Sequence, residues 1–161
     1  MPKYEGLNIA VITVSDRAHA GVYEDVSGPL IAQRFSDFGA NILQQVIVPD
    51  DAAAITDEIK HGLIADVIIT TGGTGVAPRD VTPEATKPFI TTELPGVAEA
   101  LRARGMQSNP MSAIGRGLAG FRGNTLIINL PGSVKAVEEG LEVLLPLVPH
   151  LIAQRNGQDQ H

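Results

Sequence analysis

Six residues near the middle of the chain, Thr70-Thr71-Gly72-Gly73-Thr74-Gly75, combine properties that phosphate chemistry requires. Glycines let the backbone turn sharply and approach a ligand with no Cβ in the way. Consecutive N–H groups and Thr hydroxyls on such a turn form a concave set of donors, suited most simply to a phosphate. The alternative is a tight turn that needs glycine for its shape alone. The residues after the loop favour the ligand. Arg79-Asp80 precedes Thr82-Pro83, and Thr before a Pro at the first helical position reads as a helix start with Thr82 as N-cap. Asp80 is then not required as the cap. A carboxylate beside a phosphate loop repels the ligand unless a cation lies between them. Mg2+, held by one or two carboxylates and by phosphate oxygens, meets that condition. Arg79 is either a phosphate clamp or a solvated surface arginine.

Asp50-Asp51 is the second acidic candidate. Asp51 lies closer to the Ala-rich helix beyond it and suits the cap, which leaves Asp50 to face the site. Ser15-Asp16-Arg17 comes after the first strand at the same end, where ligand contact and an Asx-type turn with a solvated arginine are equal readings. Pro131-Gly132-Ser133 stands between the last strand and the last helix. A Gly-Ser step there is a ready anion site, and Ser133 as a plain N-cap is the alternative. Gly115-Arg116-Gly117-Leu118-Ala119-Gly120 matches G-x-G-x-x-G letter for letter but leads into a strand, whereas the dinucleotide fingerprint joins a strand to a helix. It reads as a decoy. There is no Walker A loop, and His19, His61, His150 and His161 show no metal-ligand spacing. His61 reads as a solvated residue in the last turn of a helix.

The elements that must hold these residues alternate. Leu7 to Val14 is β-branched and apolar almost throughout, the mark of a strand buried on both faces. Ser27 opens a helix through Leu30, Ile31, Arg34 and Phe35 that Gly39 terminates. Ile42 to Val48 is a second strand closed by Pro49, and Ala52 to Leu63 a helix with Ile55, Ile59 and Leu63 on one face. Val67 to Ile69 is a third strand. A helix starts at Thr82-Pro83 and another covers Val97 to Arg104. Leu118 to Phe121 and Thr125 to Leu130 form two strands around a Gly123-Asn124 turn. Ser133 opens the last helix, which Pro146 and Pro149 should kink or end. This pattern predicts an α/β fold with a mostly parallel sheet and helices on both faces.

The whole chain narrows the function classes. Its 161 residues fit one domain, expected over 1–155, with a frayed tail from Asn156 to His161. Apolar residues make up 43% and aromatics 4%, so Ile, Leu, Val and Ala must build the core. A formal net charge of −6 argues against nucleic acid, which clustered Lys and Arg would hold. The absence of cysteine excludes disulfides and thiolate chemistry. The start, Met1 to Glu5, lacks a signal peptide's apolar core, and Ile9 to Val14 is too short to span a membrane. The expectation is a cytoplasmic protein with no membrane partner.

Thr71-Gly72-Gly73-Thr74-Gly75 with Pro78-Arg79-Asp80-Val81-Thr82-Pro83-Glu84-Ala85 resembles the signature of the molybdopterin-binding MogA/MoaB family, to which the gephyrin G domain is related. Ser15-Asp16-Arg17 with Gly21 to Asp25 resembles its N-terminal segment, and Thr125 to Ser133 its closing strand and loop, so the likeness spans nearly the whole chain. It implies a three-layer α/β/α fold, a homotrimer and adenylyl transfer. In that reaction the terminal phosphate of molybdopterin attacks the α-phosphate of Mg-ATP, yielding adenylylated molybdopterin and pyrophosphate. The resemblance also implies hand-over to a molybdate-inserting enzyme, and it places Asp50 and Asp80 on the family's two functionally important acidic positions. Members active in transfer have a Ser-Arg pair where this chain has Gly115-Arg116, a departure that keeps a non-catalytic, molybdopterin-binding or scaffolding trimer as the alternative. A related nucleotide-amide hydrolase group carries Leu after the second glycine and paired acids beyond it; here Thr74 and Arg79-Asp80 stand instead.

Overall fold

A computed structural model describes residues 4–158. In chain order the elements among these residues begin with β1 (Asn8–Val14), α1 (Asp16–His19), α2 (Ser27–Asp37), β2 (Asn41–Val48), α3 (Ala52–Gly62), β3 (Val67–Thr71) and α4 (Thr82–Thr86). A 3-10 turn (Lys87–Phe89), β4 (Thr92–Glu93), α5 (Pro95–Met106), a second 3-10 segment (Pro110–Ile114), β5 (Ala119–Arg122), β6 (Thr125–Leu130) and α6 (Val134–Arg155) complete the order.

The described strands form one six-stranded sheet in the order β2-β1-β3-β6-β5-β4. The first four run parallel, and β5 pairs antiparallel with both β6 and β4. The continuous apolar runs of β1, β3 and β6 sit in the middle and are buried along almost their whole length, while β2 alternates because it is an edge. One face carries Ile31 and Phe35 of α2 with Val137, Leu141, Leu144 and Val148 of α6. The other carries Ile55 and Ile59 of α3 with Ala85 and Phe89. The layers are therefore α/β/α, as expected. Parallel pairing has one functional consequence: β1, β2, β3 and β6 deliver their carboxyl ends, and the loops after them, to a single edge.

Two local expectations give way, and two short elements were not expected. Ser27 does not cap α2; Asp25 accepts from the Gly28 N–H (3.1 Å), and the Ser27 hydroxyl donates instead to the Gly132 carbonyl (2.8 Å). Pro146 and Pro149 do not end α6, which continues to Arg155. An interior proline costs about 3 kcal/mol, part of it from the carbonyl four residues back that loses its partner. For Pro149 that carbonyl is Leu145, and the wholly buried Tyr4 hydroxyl donates to it at 2.9 Å. Burial pushes the Tyr4 hydroxyl pKa upward, which keeps it a donor. The apolar stripe Leu141, Leu144, Val148 and Ile152 holds the rest of the helix on the core. Finally, the one-turn α1 and the two-residue β4 had no sequence signal.

Of the tail expected at Asn156 to His161, residues 159–161 lie outside the described residues, as do residues 1–3 of the N-terminal segment. The Gly157 and Gln158 N–H groups donate to the Gln154 and Ala153 carbonyls and close the last turn of α6. Among the described residues no helix is long and apolar enough to cross a membrane.

Candidate functional site

The loop after β3 is anchored from behind. The Gly72 N–H donates to the Leu130 carbonyl (3.0 Å), joining it to β6. Its own carbonyls are then taken one after another: Gly72 by the Thr82 hydroxyl (2.9 Å), Gly73 by the Thr82 N–H (3.1 Å) and Thr74 by the Arg116 N–H (2.8 Å). Arg116 Nε holds the Gly75 carbonyl (2.8 Å) and its Nη2 the Asp80 carbonyl (2.9 Å), with Nη1 on Glu84 (2.6 Å). No described residue accepts from the N–H groups of Gly73, Thr74 or Gly75, and all three residues line a cavity. A loop with its acceptors turned inward and its donors left open is a concave anion site. Gly72 and Gly73 have φ of +98° and +69°, so the left-handed turn requires glycine at both.

Thr82 is therefore not the cap of α4. The helix begins with Thr82 and takes no side-chain cap. Thr82 is wholly buried and serves as the strut of the loop, its hydroxyl committed to the Gly72 carbonyl. Asp80 is not free of structural duty either: its Oδ2 accepts from the Ala77 N–H (3.0 Å) and shapes its own turn. Thr71 also departs from expectation. Its hydroxyl is spent on the Pro131 carbonyl (2.7 Å) and offers no proton to a ligand, whereas Thr74 lines the cavity.

A bracket of carboxylates joins the ends of β1 and β2. Asp50 Oδ2 accepts from the Asp16 N–H (2.9 Å), and Asp16 Oδ1 accepts from the Asp50 N–H (3.0 Å). Arg79 closes the bracket by donating from Nε (2.6 Å) and Nη2 (2.9 Å) to the two Asp16 oxygens. That pair holds the Asp16 carboxyl below the usual carboxylate range, with help from the Asp50 N–H. Both partners are exposed, so its contribution to stability is small. Arg79 is thus a clamp on Asp16. Asp51 caps α3 by accepting from the Ala54 N–H (2.9 Å), as expected. Ser15 caps α1, accepting from the Ala18 N–H (3.1 Å), and meets the Tyr23 hydroxyl (3.0 Å).

Asp50 is half-buried and differs from Asp16 in sign. Burial raises its pKa, and the negative charges of Asp16 and Asp80 add to the effect. No described residue donates to Asp50 Oδ1, which lies beside Gly73: a Cβ built there would sit 3.1 Å from it. Two crowded carboxylates with hard, unpartnered oxygens fit Mg2+, whose charge would relieve the repulsion. The described residues contain no group of three or more His, Cys, Asp or Glu suited to a metal. Asp50 and Asp80 would then be the protein's whole share, the remaining ligands coming from water and substrate phosphates.

One cavity of about 420 Å³ is lined by Gly72 to Gly75, Asp80, Pro131, Gly132 and Ser133 among the expected residues. Ser133 caps α6 by accepting from the Ala136 N–H (3.2 Å), so the amino end of this long helix opens on the cavity. Ser15 and Thr71 line a second hollow on the other side of the contact between Gly72 and Gly132, while Asp16, Asp50 and Arg79 line neither. The remaining wall was not legible in the sequence: Leu101, Arg102 and Gly105 of α5, Ser108, and Glu139 of α6. Arg116 was hidden inside the decoy motif, which does lead from a 3-10 segment into β5. Glu139 left no distinct trace, because Lys135, Glu138 and Glu142 stand around it on the same helix.

Residues 10–150 match the family model described as "Probable molybdopterin binding domain". The chain is 41% identical over 155 residues to a molybdopterin adenylyltransferase of Helicobacter pylori, covering 91% of this chain and 86% of that one. It is 40% identical to the Drosophila melanogaster molybdenum cofactor synthesis protein cinnamon, over 92% of this chain and 25% of that one. The structure of the molybdopterin biosynthesis enzyme MoaB from Thermus thermophilus superposes with a TM-score of 0.86 at 39% identity, covering 94% of this chain and 97% of that chain.

Proposed function

This chain belongs to the molybdopterin-binding domain family, the MogA/MoaB group, and we propose that it transfers an AMP group from ATP to the terminal phosphate of molybdopterin. The observation that carries the proposal is the glycine loop, whose donors open on a cavity beside the α6 amino end and Asp80. In the step, a terminal phosphate oxygen of molybdopterin bonds to the α-phosphorus of ATP. The bond from that phosphorus to the β-bridging oxygen breaks, and pyrophosphate leaves with the electron pair. No protein nucleophile is needed, because one substrate supplies it. The chain's part is to hold two polyanions in line and to offset their charge, which positions the reaction without changing its chemistry. The N–H groups of Gly73, Thr74 and Gly75 and the amino end of α6 bind phosphate oxygens, while Arg116 and Thr82 keep the loop in shape. Mg2+ held by Asp50 and Asp80 would neutralise charge on the ATP phosphates.

The reading makes the protein a cytoplasmic homotrimer that passes its product to a molybdate-inserting enzyme. The Drosophila relative, of which this chain matches 25%, is named for molybdenum cofactor synthesis, which agrees with the pathway proposed. The test is pyrophosphate release from ATP with molybdopterin and Mg2+ present. Release should need both, and Asp80→Asn should abolish it with the melting point unchanged, since the amide oxygen still accepts from Ala77. Release without molybdopterin, or full turnover of the variant with Mg2+ limiting, would overturn the proposal. Gly115 favours a second reading, because it lines the cavity with no side chain where the family resemblance implies a hydroxyl. Molybdopterin bound in titration with no pyrophosphate released would establish that binding-only role.

A further inference from the structure

Beyond the glycine loop the cavity continues as a slot between α5 and α6. Ser133, Ala136 and Gly140 form a stripe on α6, and Ala98, Leu101 and Gly105 form the facing stripe on α5. A Cβ on Gly140 would come within 2.9 Å of Leu130 on β6, so the glycine is what lets α6 lie close on the sheet here, with Leu101 of the facing helix 3.5 Å away. A slot between two helices lined largely by short side chains suits a flat ring.

Glu139 lines the slot six residues past Ser133, about 9 Å along the helix from the phosphate-binding end. It is only 8% exposed. Its Oε2 accepts from the Ser108 hydroxyl and, at 3.4 Å, from Arg104 Nη1, whose Nε is committed to Glu142 at 2.8 Å. No described residue donates to Oε1. A buried carboxylate with an oxygen left unpartnered is costly unless a ligand completes it.

We propose that Glu139 is the residue that reads the heterocycle of molybdopterin, Oε1 accepting from the amino-bearing edge of a 2-amino-4-oxopyrimidine ring. The assignment rests on the function proposed above and names which substrate takes the slot. That edge carries an exocyclic NH2 beside a ring N–H, two donors in a row, which a carboxylate matches. Adenine presents its amino group beside a ring nitrogen acceptor, whose lone pair would face the carboxylate. The slot therefore takes the pterin, with its phosphate arm on the glycine loop, and leaves the adenine elsewhere.

The test compares two fluorescent probes, the phosphate ester of 6-hydroxymethylpterin and the matching lumazine, in which oxygen replaces the 2-amino group. The wild-type chain should bind the pterin about tenfold or more tightly over the lumazine. Glu139→Gln should lose most of that preference while its Kd for ATP stays within about twofold. Glu139→Asp keeps the charge and should keep the preference at weaker affinity, which separates recognition from a folding defect. An equal preference in Glu139→Gln, no preference in the wild type, or weakened ATP binding in Glu139→Gln would overturn the assignment. Molybdopterin-dependent pyrophosphate release by the wild-type chain is measured alongside. If release occurs but probe preference does not, the proposed reaction stands and only the role of Glu139 falls.

Discussion

At one end of the cavity the recognition groups are main-chain N–H groups of Gly73, Thr74 and Gly75, set by a few consecutive residues and one strut, Thr82. At the other end they are side chains, with Glu139 of α6 held by Ser108 and Arg104 from the opposite wall. The first end is rigid because its acceptors are all paired and two of its residues need positive φ. The second depends on side-chain rotamers and on how closely two helices pack. Substitutions should therefore be tolerated very differently at the two ends.

Ranked by effect on the fold, the largest contrast is between two glycines. A Cβ on Gly72 would strike the Val14 carbonyl at a φ of +98°, so Gly72→Ala should cost about 3 kcal/mol or more. Gly105 lies within α5, and there an added Cβ would meet the Ser112 hydroxyl at 2.6 Å, which can turn away, and the Ser112 Cβ at 2.9 Å, which moves only with its short 3-10 segment. Gly105→Ala should cost about 1–2 kcal/mol, less than Gly72→Ala, because its backbone is helical and helix propensity offsets part of the contact. Equal costs in urea denaturation would erase the contrast. Thr82→Ala comes next, at about 1–3 kcal/mol, because it leaves the Gly72 carbonyl buried and unpaired. Thr82→Asp separates strut from cap: a capping role would make it neutral, whereas a strut role makes it worse than alanine.

Asp50→Asn should act in the opposite direction on stability. Its folded pKa is raised, so the fold binds that proton more tightly than the unfolded chain does. The stability this contributes is present at low pH and is lost as pH rises through the raised value. The variant removes that loss, and should melt above wild type at neutral pH and converge with it in acid. Turnover should nevertheless fall about 100-fold, because the carboxylate and not the fold is what the reaction needs. A variant that melts lower at neutral pH would show that Asp50 is structural. The smallest effect is at Gly115, between the two ends. Its φ of −65° and ψ of 136° suit any residue, and a Cβ there would meet only the Ser112 carbonyl, at 3.3 Å. Gly115→Ser should change stability by less than about 0.5 kcal/mol and raise molybdopterin-dependent turnover about tenfold. Unchanged turnover would mean that the cavity already compensates for the missing hydroxyl.

Residues close together in the chain made the glycine-loop end legible. Strand, glycines, Arg79-Asp80 and the helix start at Thr82-Pro83 come in order, and backbone conformation at Gly72 and Gly73 is a local property that residue type controls. The alternation of apolar runs likewise determined the α/β layers and the edge at which four loops meet. What each polar side chain does there was decided by tertiary structure. Thr82, Ser27, Thr71 and Arg79 all have local duties open to them, yet each bonds a group brought near by another element. Pro149 is tolerated because Tyr4, 145 positions earlier, supplies the missing donor. Glu139 and Arg104 lie on separate helices whose approach no local pattern encodes. Hydrogen-bond partners are chosen by distance in space, and the sequence by itself states only distance along the chain.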